Sequence, residues 1–502
     1  MTERLSPWWA ICIVFLSNFC IMVLELVAGR LMAPIVGVSL YTWTSIIGVI
    51  LAGISLGNYL GGKIADRWPS RMTLAWLFVF SALGSLSILL VINWIGPLKS
   101  LNMPIFVNIV LIFGAAFLLP STILGTISPV VVKLTLADLN QTGDVVGKIY
   151  ASGALGSIVG TFAAGFILIS SFGTRQLVWG VAGGLLLIGL IIGLNSRNRW
   201  RFAPGILLLI FLALSIIAWQ QNWLDSSCIQ ETNYFCIKVR ADDENPRIRI
   251  LTLDRLVHSY VNLDQPTQLR YAYERIYASV LHAVFPITTG VNALFIGGGG
   301  YTFPRYLEIT YPQSQIEVIE IDPGVTEIAY SELGLPAETT IRTLNEDARS
   351  VISRLPDAAR YDLIVGDAFN DFSVPYHLTT LEFNQLVAEH LTDQGIYMIN
   401  IIDGKQGSFL RAYVYTLRQT FNYVYVAGVD GALGAEVRQT YVLVASQHPL
   451  DDIMAGPSLN SYFLAPADLQ TYLQQEPALL LTDDYVPVDN LLAPVFADSG
   501  LD

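Results

Sequence analysis

The sequence predicts an α-helical transmembrane bundle followed by a doubly wound α/β domain, and three observations carry that prediction. The chain of 502 residues is 53% hydrophobic and only 14% charged, whereas an ordinary soluble domain carries roughly 25% charge. Before residue 222 its apolar residues gather into about seven runs of the ~20 residues that a bilayer crossing needs. After residue 222, short apolar runs alternate with helical stretches, which is the pattern of a mainly parallel sheet.

Charge divides at the same place. Residues 1–222 carry 12 Lys or Arg and five Asp or Glu, a net of +7, while the remaining 16 basic and 36 acidic residues give −20. The expected domains are therefore a multi-pass bundle over 1–222, a small β-subdomain with a helix over 223–285, and an α/β domain over 286–502.

The spans are expected at 8–29, 43–62, 72–95, 104–134, 148–170, 176–194 and 204–221. The first is too long for a signal-peptide core and lacks a small-residue cleavage pattern, so it reads as a membrane helix. The fourth contains Pro120 and Pro129; it is either one kinked helix or a span plus a re-entrant piece. Basic residues orient the bundle. An internal N-terminus gives the cytoplasm Arg4, Lys63, Arg67, Arg71, Lys133, Lys148, Arg197, Arg199 and Arg201, and leaves Arg30, Lys99 and Arg175 outside. An odd number of spans then places the α/β domain outside the cytoplasm; a fourth region that crosses twice returns it to the cytoplasm.

Glu25 and Arg30 lie near the outer end of the first span, as a functional pair, an interhelical ion pair or interfacial side chains. The run Gly57-Asn58-Tyr59-Leu60-Gly61-Gly62-Lys63-Ile64-Ala65-Asp66-Arg67 resembles the loop between the second and third helices of major-facilitator transporters. Asp66 and Arg67 are placed to pair there. That fold needs two six-helix halves around a central site, and one half is present, so a scaffold is expected rather than a transporter. Cys12 and Cys20 fall inside the first span. Cys228 and Cys236, just past the last span, suit either a disulfide in an oxidising compartment or two thiols in a strand pair.

In the second half, 234–240 and 247–263 read as strands of the small subdomain, and 291–296, 316–321, 341–344, 361–366, 395–401, 422–427 and 440–446 as strands of the main sheet, with a terminal hairpin. Ligands bind such sheets at the carboxyl ends of the strands, and the polar residues collect there. The first main strand ends in Gly297-Gly298-Gly299-Gly300, with Thr302 and Pro304 suited to a helix start. The second ends in Glu320-Ile321-Asp322-Pro323, where an acid can accept the ribose hydroxyls. The third ends in Asn345-Glu346-Asp347-Ala348, and the fourth in Asp367-Ala368-Phe369-Asn370-Asp371. Three acidic strand ends behind a glycine loop form a nucleoside-binding pattern.

This constellation resembles the aminopropyltransferase (spermidine and spermine synthase) family over roughly residues 230–450, and the whole chain resembles its membrane-fused members. The resemblance implies a Rossmann-like transferase domain dependent on S-adenosylmethionine or its decarboxylated form, with no metal. It assigns the adenosyl co-substrate to Gly297, Gly298, Gly299, Glu320, Asp322, Asp347 and Ala348. It makes Asp367 the catalytic carboxylate and Tyr273, His258, Asn370 and Asp371 the amine-binding residues. Leu253–His258 and Arg270–Glu274 look like the family's substrate lid. The departures fall on the amine side. The family motif reads GGGDGG, and Gly300 stands at its Asp. Asn370 replaces the second acid of an Asp-x-x-Asp loop, beside Asp371, and His258 stands where the family has Gln.

The reaction so implied is displacement at a sulfonium by an amine. An alkylamine has a pKa near 10, so a carboxylate must take its proton and aim the lone pair. The alternatives are methyl transfer from S-adenosylmethionine and a non-catalytic nucleoside-binding domain on a membrane scaffold. Partners are the lipid bilayer and a small cationic amine, with a homo-oligomer left open. The acidic domain suits a cationic substrate, although the same charge keeps a surface soluble. It argues against nucleic acid, and the five histidines show no metal-ligand spacing.

Overall fold

The computed structural model describes residues 4–95, 105–136, 142–196, 202–368, 374–429 and 438–499. It forms two compact units, one running to Cys236 and one beginning at Ile237.

In the first unit, seven helices among the described residues are long and apolar enough to cross a membrane: Pro7–Val36, Leu40–Arg67, Arg71–Trp94, Phe106–Thr135, Thr142–Ser171, Thr174–Leu194 and Ala203–Gln220. The first starts where the sequence dictates, with the Ser6 hydroxyl accepting from the Trp9 N–H and Pro7 in the first turn. The fourth is one interrupted run. A wide π-turn occupies Gly114–Leu118, and the helix restarts after Thr126. Pro120 and Pro129 follow these two breaks; proline lacks the N–H for the i−4 bond and its ring crowds that carbonyl. Thirty residues reach ~45 Å at ~1.5 Å per residue. That is longer than one ~30 Å hydrocarbon layer and shorter than two.

Glycine spacing sets how closely these helices meet. A Cβ on Gly57 would lie 2.2 Å from the Thr122 carbonyl oxygen, and one on Gly61 2.6 Å from that of Thr126. The second helix therefore contacts the fourth run backbone to backbone. Asp66 does not need its neighbour Arg67, because it pairs with Lys133 at 2.7 Å, while Arg67 stacks over Trp68. The Arg30 guanidinium donates to the carbonyls of Thr232 and Tyr234. Glu231, in the short strand β1 (Gln230–Glu231), accepts from the Thr174 N–H at 2.8 Å. Cys228 and Cys236 are joined as a disulfide. The segment after the last helix is thus tied to the bundle through Arg30 and Thr174, and the disulfide closes the segment on itself.

The second unit begins with an antiparallel sheet of β2 (Cys236–Ala241), β3 (Ile248–Leu253) and β4 (Leu256–Asn262). The sequence reading of one strand over 247–263 is corrected here. Asp254 takes a left-handed φ of 52°, and the Asp254-Arg255 turn folds the stretch into a tight hairpin. The helix Ala272–Val284 follows.

The main sheet contains β5 (Asn292–Ile296), β6 (Gln315–Ile319), β7 (Arg342–Leu344), β8 (Tyr361–Gly366), β9 (Leu391–Asp403), β10 (Tyr423–Gly428) and β11 (Gln439–Ser446), in the order β10-β11-β9-β8-β5-β6-β7. Strands β9, β8, β5, β6 and β7 are parallel, and β11 and β10 close the edge as the expected antiparallel hairpin. From β5 the chain steps outward to β6 and β7, then returns to β8 on the other side of β5. That reversal opens a crevice at the carboxyl ends of β5 and β8. Gly297 lines it with a left-handed φ of 98°, and a Cβ there would sit 2.4 Å from the Asp367 carbonyl oxygen, so glycine is required on both counts.

Candidate active site

The glycine loop is held from below by Glu320. The carboxylate is buried at the end of β6; Oε2 accepts from the N–H groups of Gly298 at 2.8 Å and Gly299 at 3.3 Å, and Oε1 from that of Asp322 at 3.0 Å. Burial pushes its pKa above the ordinary value, with these three N–H groups opposing. Asp322 is fully buried. It caps the helix Pro323–Ser331 by accepting from the Gly324 N–H at 2.9 Å, with Pro323 in the first turn as that cap favours. Asp347 caps the helix Ala348–Ile352 through the Ser350 N–H at 2.9 Å and meets His377 Nε2 at 2.8 Å. Burial pushes its pKa up, but those hydrogen bonds outweigh burial and hold it below the ordinary carboxylate range.

At the end of β8 lies a cavity of about 220 Å³, lined by Tyr273, Asp367, His258 and Gly297–Gly299 together with residues of β4, β9 and the helix Ala272–Val284. The Tyr273 hydroxyl donates to Asp367 Oδ2 at 3.1 Å, and Asn400 Nδ2 donates to Oδ1 at 2.8 Å. Both oxygens are therefore fixed. Burial raises the pKa of Asp367, and those two donors pull it back. Tyr271, Tyr273 and Tyr277 pack ring against ring, with Tyr277 edge-on to Phe303. The His258 pKa is held down to about 4 by burial and then by the Arg438 guanidinium, so its imidazole is neutral at physiological pH.

Of the residues predicted from the sequence, the structure brings Asp367, Tyr273, His258, Gly297, Gly298 and Gly299 around one cavity. Glu320, Asp322, Asp347 and Ala348 stand at neighbouring strand ends and do not line it. Asn370 and Asp371 lie outside the described residues. The sequence reading missed Asn400 and Tyr277, and it quoted Glu274 only as part of a run. Each of them lines the cavity. Asn400 had a legible signal, as the lone polar side chain within Met398-Ile399-Asn400-Ile401-Ile402. Among the described residues no group of three or more His, Cys, Asp or Glu is placed to hold a metal ion.

Several cavity atoms have no protein partner. His258 Nε2, Glu274 Oε2, the Tyr277 hydroxyl, Thr302 Oγ1 and Asn400 Oδ1 are buried without a hydrogen bond. Buried polar atoms are paired in the great majority of cases, so five in one cavity mark a place built for a polar ligand.

None of the protein-family models compared with the chain matches it. Over 415 residues the chain is 25% identical to the polyamine aminopropyltransferase of Corynebacterium efficiens, covering 78% of this chain and 77% of that one. A stretch of 151 residues is 33% identical to the probable polyamine aminopropyl transferase of Bifidobacterium longum. Both stretches are similar to proteins named as polyamine aminopropyltransferases. The chain spans about a third of the length of the Bifidobacterium longum and Vibrio vulnificus relatives, at 32% and 36%. Similarity extends to methyltransferases, at 26% over 157 residues for the eEF1A lysine and N-terminal methyltransferase of Bos taurus. Among solved structures, a probable spermidine synthase from Corynebacterium glutamicum aligns with a TM-score of 0.45 at 21% identity, covering 51% of this chain and 95% of that one.

The glycine loop departs from the GGGDGG pattern at Gly300, where a side chain has no room. A Cβ on Gly300 would fall 2.5 Å from the Ser259 Cβ. Ser259 Oγ instead accepts the Gly300 N–H at 2.8 Å. Where that pattern has an acid, this loop has a hydrogen bond to β4.

Proposed function

We propose that the second unit transfers an aminopropyl group from decarboxylated S-adenosylmethionine to a di- or polyamine. The observation that carries this reading is the half-buried Asp367, gripped by Tyr273 and Asn400 in a cavity beside the glycine loop. Gly297, Gly298 and Gly299 would admit the nucleoside close to the backbone, with Glu320, Asp322, Asp347 and Ala348 at the strand ends around it. His258, Tyr273, Asn370 and Asp371 would hold the amine.

In the transfer, the acceptor nitrogen attacks the aminopropyl carbon bonded to the sulfonium. A C–N bond forms, the C–S bond breaks, and its electron pair neutralises the sulfur to give methylthioadenosine. Asp367 receives the proton the acceptor must lose. Its fixed oxygens aim that acceptor, and its raised pKa makes it a stronger base than an exposed aspartate. The nucleophile needs no covalent intermediate, because the sulfonium is already activated.

The membrane reading belongs to the same proposal. The seven helices would cross a bilayer with the N-terminus in the cytoplasm and the transferase unit on the far side. The distribution of basic residues, the odd number of candidate spans and the Cys228–Cys236 disulfide support that orientation. Alkaline phosphatase fused after Asp502 should be active; a fusion active only as a cytoplasmic reporter would reverse it.

Methyl transfer from S-adenosylmethionine is the second reading, favoured by the Gly300 departure and the methyltransferase similarity. Detergent-purified protein given each donor with a pool of di- and polyamines separates the two. Methylthioadenosine from the decarboxylated donor supports aminopropyl transfer, and S-adenosylhomocysteine in its place would support methylation.

A further inference from the structure

The amine side of the site lacks an acid at Gly300, yet a second carboxyl reaches the same cavity from another element. Glu274 sits in the first turn of the helix Ala272–Val284, is 3% exposed, and lines the cavity with Asp367. It occupies the third helical position, where the Tyr271 backbone N–H lowers its pKa and where Glu and Gln are common. Its Oε2 is buried with no partner, as is the Tyr277 hydroxyl one turn further along the same helix. A place in the first helical turn does not account for that unpaired oxygen.

We propose that Glu274 binds the non-reacting ammonium of the acceptor amine, taking over on the helix the acidic role that the glycine loop has no room for at Gly300. This rests on the aminopropyl-transfer reading for the identity of the cavity, and it narrows the acceptor to amines with a second cationic nitrogen. The Tyr271–Tyr273–Tyr277 wall would cover the methylenes between the two nitrogens, while Asp367 faces the reacting one.

The assignment has a proton-linked consequence. Burial, and then the negative charge of Asp367, push the Glu274 pKa up to about 8, with the Tyr271 N–H and Arg275 opposing. The other groups around the cavity are Tyr271, Tyr273 and Tyr277, all shifted upward by burial, His258, held to about 4, and Arg438. The tyrosines and His258 keep one charge state between pH 6 and 8.5, and an alkylamine stays protonated there. Without ligand, Glu274 is a neutral acid below about pH 8. Binding an ammonium ionises it and releases one proton. Affinity should therefore rise about tenfold per pH unit from 6 to 8 and level off above, since one proton is exchanged.

The test measures binding of 1,4-diaminobutane and of 1-aminobutane to the full-length protein from pH 6 to 8.5, with methylthioadenosine present. Glu274→Gln keeps the helix start, because Gln serves that position equally, and an unchanged methylthioadenosine Kd reports an intact fold. Wild type should show the tenfold-per-unit slope with the diamine. Glu274→Gln should flatten that slope and weaken diamine binding at pH 8 at least tenfold, and 1-aminobutane should show no Glu274-dependent slope. An undiminished slope in Glu274→Gln, its loss only in Asp367→Asn, or the same slope with 1-aminobutane would each overturn the assignment. If methylthioadenosine fails to bind while the Glu274-dependent slope persists, the transferase reading falls and the assignment of Glu274 stands. Failure of every form to bind the diamine overturns both.

Discussion

Glu320 and Glu274 are both buried glutamates, at 6% and 3% exposure, and they occupy opposite situations. Glu320 has both oxygens engaged by backbone N–H groups of the loop and strand end. Glu274 lines the cavity and has a buried oxygen without a partner. A buried polar atom without a partner costs about 1–3 kcal/mol, so the first arrangement is complete by itself and the second is completed by a ligand. On this account the nucleoside side is a rigid, self-satisfied frame, and the amine side stores its unmet hydrogen bonds for the substrate.

The sharpest way to separate the two sides is Asp367→Asn. It keeps the shape of the cavity and removes the base, so turnover should fall ~10² or more while methylthioadenosine affinity stays within about twofold. Single-turnover kinetics with calorimetric binding checks this; equal loss of both would merge the two sides. Glu320→Gln probes the opposite side. It replaces a charged acceptor serving two loop N–H groups, each such bond being worth about 1.5–3 kcal/mol. The methylthioadenosine Kd should rise tenfold or more, with the diamine slope between pH 6 and 8 preserved.

Gly300→Asp asks whether the missing acid can simply be put back. The added Cβ collides with Ser259, and overpacking of this kind costs about 1–3 kcal/mol. The variant should melt several degrees lower without tighter diamine binding, and adding Ser259→Gly should recover most of the loss in a thermal melt. A stable single variant with improved amine binding would contradict the lack of room at Gly300. Tyr273→Phe should give the smallest effect. One hydrogen bond worth about 1 kcal/mol is lost from Asp367 while Asn400 remains, so turnover should fall roughly fivefold. Because the Tyr273 hydroxyl lowers the Asp367 pKa, its removal raises that pKa. The ascending limb of the pH–rate profile should then move to higher pH.

What was legible in the sequence follows the same division. Strand-end residues such as Gly297, Glu320, Asp347 and Asp367 announce themselves, because polar residues at the ends of apolar runs have no role in the sheet core. Asp322 looked like one more ligand acid, yet Asp-Pro is also a helix cap followed by a first-turn proline, and the fold uses it that way. Asn400 sits inside an apolar strand, and Tyr277 and Glu274 lie within a helix whose other inward residues are core. Only the tertiary fold shows that these three residues line one cavity. The Asp254 turn was hidden because Leu253 and Leu256 flank it with uninterrupted strand pattern. In the bundle, Pro120 and Pro129 signalled an irregularity, but the π-turn at Gly114–Leu118 and the restart after Thr126 show only in the fold.

The most direct measurement follows a ¹³C label in the aminopropyl carbons of decarboxylated S-adenosylmethionine, supplied with 1,4-diaminobutane to wild-type protein and to Asp367→Asn. The account predicts a heavy three-carbon unit on the amine nitrogen and one methylthioadenosine per transfer in wild type, with almost no labelled amine from the variant although it binds methylthioadenosine normally. Labelled amine formed at the wild-type rate by Asp367→Asn, or no labelled amine from a wild-type protein that binds both ligands, would contradict it.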